Sequence, residues 1–240
     1  MAKSPGQTPG QSPGAARQAT SNQATSNPAT SNPATSNPER ASVDTESRAK
    51  RFMKSALAIL GETGRTDFTV LEVVERSKTS LRSFYQHFST KDELLLALIE
   101  KIMSESTKQW REATTGLPSS KALRVLIDRI CTPAESSTQD RVNRGLTDYN
   151  DHLAETLPRE YARVLSPLHE LIKAIINRGI AERTFRSDLD VDATAALIMQ
   201  SALGAMRLRV LGAELNGVPI DADHIYDFCV SGLIQRDHPI

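Results

Sequence analysis

The chain has 240 residues and balances 29 Lys and Arg against 29 Asp and Glu, so its formal net charge is zero. That balance excludes a broadly basic surface, and any affinity for nucleic acid has to come from a few placed contacts. Two cysteines, Cys131 and Cys229, exclude a disulfide scaffold and read as free thiols buried in apolar helical patterns. No apolar run approaches membrane-spanning length and the N-terminus lacks a signal-peptide core, which predicts a soluble cytoplasmic protein with no membrane partner.

Residues 1–43 form a low-complexity tail. Ser4 to Gly14 alternates Pro and Gly with Gln, Thr and Ser, and a short unit then repeats from Gln18 to Asn37 as QATSN, QATSN, PATSN, PATSN. No aromatic or branched aliphatic residue precedes Val43, so the stretch lacks apolar area to offset the entropy of ordering and is expected to be disordered. Lys3, Arg17 and Arg40 are its only cations, which suits a spacer better than an arm entering the minor groove of DNA.

Residues 44–92 carry three helical patterns. Ala49, Phe52, Met53, Ala56, Leu57 and Leu60 keep helical spacing until Gly61 and Gly64 end the run. Thr69 then caps a short helix with Val70, Val73 and Val74 on its apolar side, and Glu72 at N3 completes a capping box. The polar run Arg76-Ser77-Lys78-Thr79 interrupts the pattern, and Ser80 caps another helix. There Leu81, Phe84, Tyr85 and Phe88 recur at i, i+3, i+4 and i+7, while Arg82, Ser83 and Gln86 lie on the other face. Two helices this small cannot bury a core of their own, so the first must pack beneath them. The result is a three-helix helix-turn-helix domain.

The outer face suits the major groove of double-stranded DNA, where cations and hydroxyls meet base edges and phosphates. Lys78, Thr79, Ser80, Arg82 and Ser83 supply such groups. Ser89 or Thr90 opens the next helix, whose N-terminus beside Lys91 makes a phosphate seat, and Tyr85 and His87 can add hydrogen bonds to the same backbone. Residue pattern alone equally allows a solvated helix face. Charge distribution falls slightly toward DNA: 10 Lys and Arg against 8 Asp and Glu over Glu46 to Lys101, but 16 against 19 over Ile102 to Ile240.

The segment from Thr69 to Leu95 resembles the DNA-binding domain of TetR-family transcriptional regulators, with their threonine cap and their run Tyr-x-x-Phe-x-x-Lys-x-x-Leu, here Tyr85, Phe88, Lys91 and Leu94. The likeness implies that Thr69, Tyr85, His87 and Lys91 contact phosphates and that residues from Thr79 to Ser83 face bases. There are departures. Lys78 stands where a glycine would ease positive φ, so either the turn carries mild strain or its geometry differs. Arg82 replaces a small residue, and its guanidinium could read guanine O6 and N7 or lie along a phosphate.

Residues 93–240 continue as helices. Leu95, Leu98, Ile99, Ile102 and Met103 extend the helix begun at Lys91 toward Trp110, ending before Gly116-Leu117-Pro118. Further stripes are Leu123, Leu126, Ile127 and Ile130; Leu146, Tyr149 and Leu153; and a long run from Tyr161 to Ile176 in which Pro167 should make a kink. From Ala193 to Leu211 the pattern is apolar on nearly all sides, with Gly204 and Ala205 allowing close approach, and a second stripe follows at Ile225, Phe228, Cys229, Gly232 and Leu233. Both could be core of a monomer; the resemblance implies instead a four-helix interface of a homodimer. The fold class is all-α, with a helix-turn-helix domain followed by a larger helical regulatory and dimerisation domain.

The resemblance further implies a repressor that reads a palindromic operator and is released by a small hydrophobic or amphipathic effector. An alternative is a helical small-molecule-binding protein that no longer binds DNA specifically. Other chemistry has thinner support. Asp148, Asp151, His152 and Glu155 share a helix face that could hold a metal, but a solvated face is the simpler reading. His169-Glu170 comes without a nucleophile or phosphate loop, so no enzyme activity, catalytic residue, metal or cofactor is expected.

Overall fold

The computed structural model describes residues 38–234, with side chains from Ser47 onward. The tail expected to be disordered lies, through residue 37, outside the described residues; the first helix begins at Pro38, inside the segment assigned to that tail. Among the described residues every regular element is helical: α1 (Pro38–Thr63), α2 (Val70–Ser77), α3 (Leu81–Tyr85), α4 (Lys91–Thr114), α5 (Ser119–Cys131), α6 (Ser137–Thr156), α7 (Pro158–Ala181), α8 (Val191–Leu211) and α9 (Ala222–Leu233), with a 3-10 turn at Leu215–Gly217.

Local chemistry sets the starts. Thr90, Ser136, Asp190 and Asp221 each accept a hydrogen bond from the backbone N–H three residues on, capping α4, α6, α8 and α9. The N-terminus of α5 has no such cap on its own strand of chain. Its Ser119 N–H donates instead to the Glu182 carboxylate at the end of α7, 3.0 Å away, which holds that carboxyl below its ordinary range. Pro158 opens α7 at a position where its missing N–H costs nothing. The helix then runs on through Pro167, where a kink is expected from sequence.

Two cores divide the interior. One gathers Phe52, Ala56, Ile59 and Leu60 of α1, Val73 and Val74 of α2, Phe84 and Phe88, and Leu94 to Ile99 of α4; it also takes Val142, Leu146, Leu153 and Val164 from α6 and α7. The other is built from α5, the rest of α7, α8 and α9, with Met103 and Trp110 of α4 against it. Helix α4 therefore belongs to both. Contrary to expectation, Leu57 is largely exposed and Ile59 takes its place, because the inner stripe of α1 runs through Phe52, Ala56, Ile59 and Leu60.

Helix α6 docks closely on the end of α1. Arg141 Nε donates to the Gly61 carbonyl at 2.6 Å, satisfying one of the terminal acceptors of α1. Beside it, a Cβ on Gly145 would stand 2.9 Å from Leu60 Cδ2 and 3.1 Å from the Gly64 carbonyl oxygen, so only glycine allows this approach. Two residues of the acidic face of α6 meet other helices: Asp151 pairs with Arg207 of α8, and His152 lies 3.3 Å from Asp92 of α4. Among the described residues no cluster of three or more His, Cys, Asp or Glu could hold a metal.

Helices α8 and α9 cover each other only in part. Leu197 is 69 % exposed and Phe228 is 79 % exposed. Shallow apolar hollows of about 530 and 500 Å³ flank the Phe228 ring, one floored by Gly204, Ala205 and Leu208, the other by Leu197, Ile198 and Cys229. Cys131 is a buried free thiol, as expected, whereas Cys229 is only partly buried because it lies toward this open face.

The ring of Phe52 meets both Phe84, at 5.4 Å, and Phe88, at 6.4 Å, edge-on. Truncating it by Phe52→Ala is expected to cost about 3–5 kcal/mol of stability, read from urea unfolding followed by circular dichroism. A loss under ~1 kcal/mol would show that the first core does not depend on this ring.

Candidate nucleic-acid interface

The turn between α2 and α3 is built from backbone outward. Thr69 Oγ1 accepts from the Glu72 N–H at 3.2 Å, and Glu72 Oε2 accepts from the Thr69 N–H at 2.6 Å, so the capping box read in the sequence is complete. The Thr69 N–H, and then the Thr69 hydroxyl at 2.8 Å, hold the Glu72 carboxyl below its usual range. At the other end of α2, Lys78 adopts φ 53° and ψ 49°, the left-handed conformation, so of the two alternatives left by the sequence the turn keeps its geometry and carries the strain. Its N–H donates to the Glu75 carbonyl at 3.1 Å, and the Thr79 N–H to that of Val74 at 3.2 Å. From α1, Arg51 donates to the Ser77 carbonyl at 3.1 Å and Glu62 pairs with Arg76. Both ends of α2 are thus tied down.

Ser80 Oγ accepts from the Ser83 N–H at 3.2 Å and starts α3. Phe84 is fully buried. The expected stripe of α3 is corrected at two of its positions: Leu81 is 44 % and Tyr85 57 % exposed. The helix ends at Tyr85, so only one turn of it can face inward, and Phe88 reaches the core from the following turn. Ser83 moves the opposite way. Expected on the outer face, it is 8 % exposed and its Oγ is enclosed with no hydrogen-bond partner. Lys78, Ser80, Arg82, Tyr85 and Gln86 are exposed, and Thr79 is half-buried with its hydroxyl 2.6 Å from Ser77 Oγ.

The remaining candidates point inward. His87 is half-buried, its ring 6.0 Å from that of Phe52, with Nε2 enclosed and unpartnered. Lys91 extends its ammonium to the Thr66 carbonyl at 2.9 Å and lies over the rings of Phe68 and Tyr149, at 5.6 and 5.7 Å. Next to it, the Tyr149 hydroxyl donates to Asp92 at 2.5 Å. Burial, and then the neighbouring Asp92 carboxylate, push the Tyr149 phenol well above its ordinary pKa. This tie between α4 and α6 was not legible in the sequence, where the partners stand far apart. In the sequence Tyr149 reads only as part of the apolar stripe with Leu146 and Leu153.

A short helix held by caps and an aromatic core, followed by a turn and a second helix with exposed polar and cationic groups, defines the helix-turn-helix class of DNA-binding proteins. Residues 52–98 match the family described as bacterial regulatory proteins, tetR family. The chain is 23 % identical over 203 residues to the HTH-type transcriptional regulator PksA of Bacillus subtilis (strain 168), covering 82 % of this chain and 98 % of that protein. It is 23 % identical over 172 residues to the HTH-type transcriptional repressor KstR2 of Rhodococcus jostii (strain RHA1), covering 68 % of this chain and 82 % of the other. In fold it is similar to the regulator FadR of Bacillus subtilis, solved in complex with stearoyl-CoA, with a TM-score of 0.57, 17 % identity and coverage of 77 % and 98 %. The helix-turn-helix segment matches the TetR family, the chain is similar over most of its length to transcriptional regulators, and together these support a DNA-binding transcriptional regulator.

The left-handed Lys78 sets up a direct test. Lys78→Gly removes the Cβ clash of that conformation and is expected to raise stability by about 1 kcal/mol. Thr69→Ala, which breaks the capping box, should lower it by about 1 kcal/mol. Urea midpoints that move in the same direction for both variants would contradict this account of the turn.

Proposed function

We propose that the chain is a dimeric repressor that reads a palindromic operator and is released by a small hydrophobic or amphipathic effector. Residues 44–92 read double-stranded DNA, residues 93–240 regulate and dimerise, and residues 1–43 act as a spacer. The observation that carries this reading is the capped, aromatic-backed α2–turn–α3 unit with Lys78 and Arg82 exposed at its surface. Thr79, Ser80, Arg82 and Tyr85 meet the DNA directly. Thr69 and His87 do so with the groups left over from their internal contacts, and Ser83 only if its enclosed hydroxyl turns outward. Lys91 would have to exchange the Thr66 carbonyl for a phosphate.

Support for the dimer comes from the apolar face around Leu197 and Phe228, which water covers poorly. Pairing of α8 and α9 with those of a second copy would present two reading helices one turn of DNA apart, roughly 34–36 Å. Phe228→Asp is expected to yield monomers in sedimentation velocity at micromolar concentration. A variant that stays dimeric would move the interface elsewhere.

The repressor and effector halves draw on the relatives: one is named a repressor, and FadR was solved with stearoyl-CoA. Effector and DNA must weaken each other by the same factor. The deciding experiment is selection of duplexes from a random pool by the purified chain at near-physiological salt. An enriched palindrome is the expected result. Arg82→Ala should then weaken operator binding by roughly 5- to 150-fold, about 1–3 kcal/mol if it reads a guanine, with relaxed preference at one position per half-site. No enrichment would favour a helical small-molecule-binding protein without specific DNA binding. If acyl-CoA and similar amphipathic compounds leave operator affinity unchanged in titration, the effector half fails while the reader stands.

A further inference from the structure

Leucine is a strange residue to find at the surface of a DNA reader. Leu81 is the first residue of α3, directly after the Ser80 cap and before the exposed Arg82, and it is 44 % exposed. Its periodicity marks it for the core, yet the core is closed without it by Phe84 and Phe88 against Phe52. Its neighbour one turn on, Tyr85, is also exposed, so the pair forms a small apolar strip on the outside of α3. Scattered surface leucines are common and call for no explanation. This one is distinguished by its place: the opening residues of a reading helix are those that reach base edges in the major groove.

Every polar group of a base edge asks for a hydrogen bond that a leucine cannot make. The one apolar group displayed in the major groove is the 5-methyl of thymine. A leucine pressed onto cytosine, guanine or adenine would strip water from donors or acceptors without replacing it. Placed on thymine it buries a methyl against methyls, a gain without that penalty. We propose that Leu81 is a base-reading residue that receives the 5-methyl group of a thymine in each half-site. The inference rests on the reading of α3 as the recognition helix and names one of the bases it selects. Arg82, beside it, supplies the hydrogen-bonding part of the same readout.

Deoxyuridine differs from thymidine only by that methyl, which makes the test chemical as well as mutational. With the operator from duplex selection, each thymine of the half-site is replaced in turn by deoxyuridine on both half-sites, and binding of the full chain is followed by fluorescence anisotropy. One position is expected to lose about fourfold per half-site, the equivalent of ~0.8 kcal/mol for a buried methyl. Leu81→Ala, an exposed substitution whose thermal melt should match the parent, is expected to bind the thymidine and deoxyuridine operators alike at that position. Tolerance of deoxyuridine at every thymine by the parent chain overturns the proposal while leaving the reader intact. So does discrimination that survives in Leu81→Ala. Failure of the selection to enrich any site overturns specific reading itself, and the role of Leu81 with it.

Discussion

A helix of five residues cannot hold its shape in water, since nucleation costs more than one turn of hydrogen bonds returns. Helix α3 exists because Phe84 is driven into the first core edge-on to Phe52, and because Ser80 fixes the entry of the chain. Everything the reader presents outward follows from that anchor. With Phe84 inward, Leu81, Arg82 and Tyr85 are exposed, while Ser83 is turned in. The two caps of α2 and the bonds from Arg51 and Glu62 hold α2 against α1. The outward face of α3 thus depends on an aromatic cluster that lies beneath it.

Much of this was legible along the chain because it is local. The threonine and glutamate of the capping box stand three residues apart, and the place of Lys78 in a glycine position narrows its turn to two alternatives, strained or differently shaped. Helices α4, α5 and α7 likewise follow their apolar stripes. Errors arose where periodicity was extended beyond the element that carries it. Leu81 and Tyr85 fit a stripe of four positions, but the helix lasts only one turn, so the stripe had no surface to lie on. Leu57 and Ile59 exchanged roles because both sit at the margin of the apolar arc of α1, and the assembled fold covers Ile59.

Contacts between distant segments were silent for a different reason. The hydroxyl of Tyr149 on the carboxylate of Asp92, the ammonium of Lys91 on the Thr66 carbonyl and the guanidinium of Arg141 on the end of α1 each join groups that no sequence spacing relates. Together with the Asp151 and Arg207 pair they run from α8 through α6 to the start of α4. A charged or hydroxyl-bearing residue on a helix face looks the same in the sequence whether it meets water or another helix. Burial decides, and burial is a property of the assembled fold.

The first core draws four of its side chains from α6 and α7, and α4 is shared with the second. The DNA-reading helices therefore do not form a cartridge that can be lifted out and grafted onto another body. A chimera cut after α4 would carry Leu60 and Leu94 to Ile99 without the α6 surface that covers them, and would expose a greasy seam to water. Exchange of operator specificity between such regulators would have to proceed by changing exposed positions of α3, or by moving α6 and the opening of α7 along with the reader. The same sharing makes opening of the reader and opening of the body parts of one cooperative event in hydrogen exchange, not two separate ones.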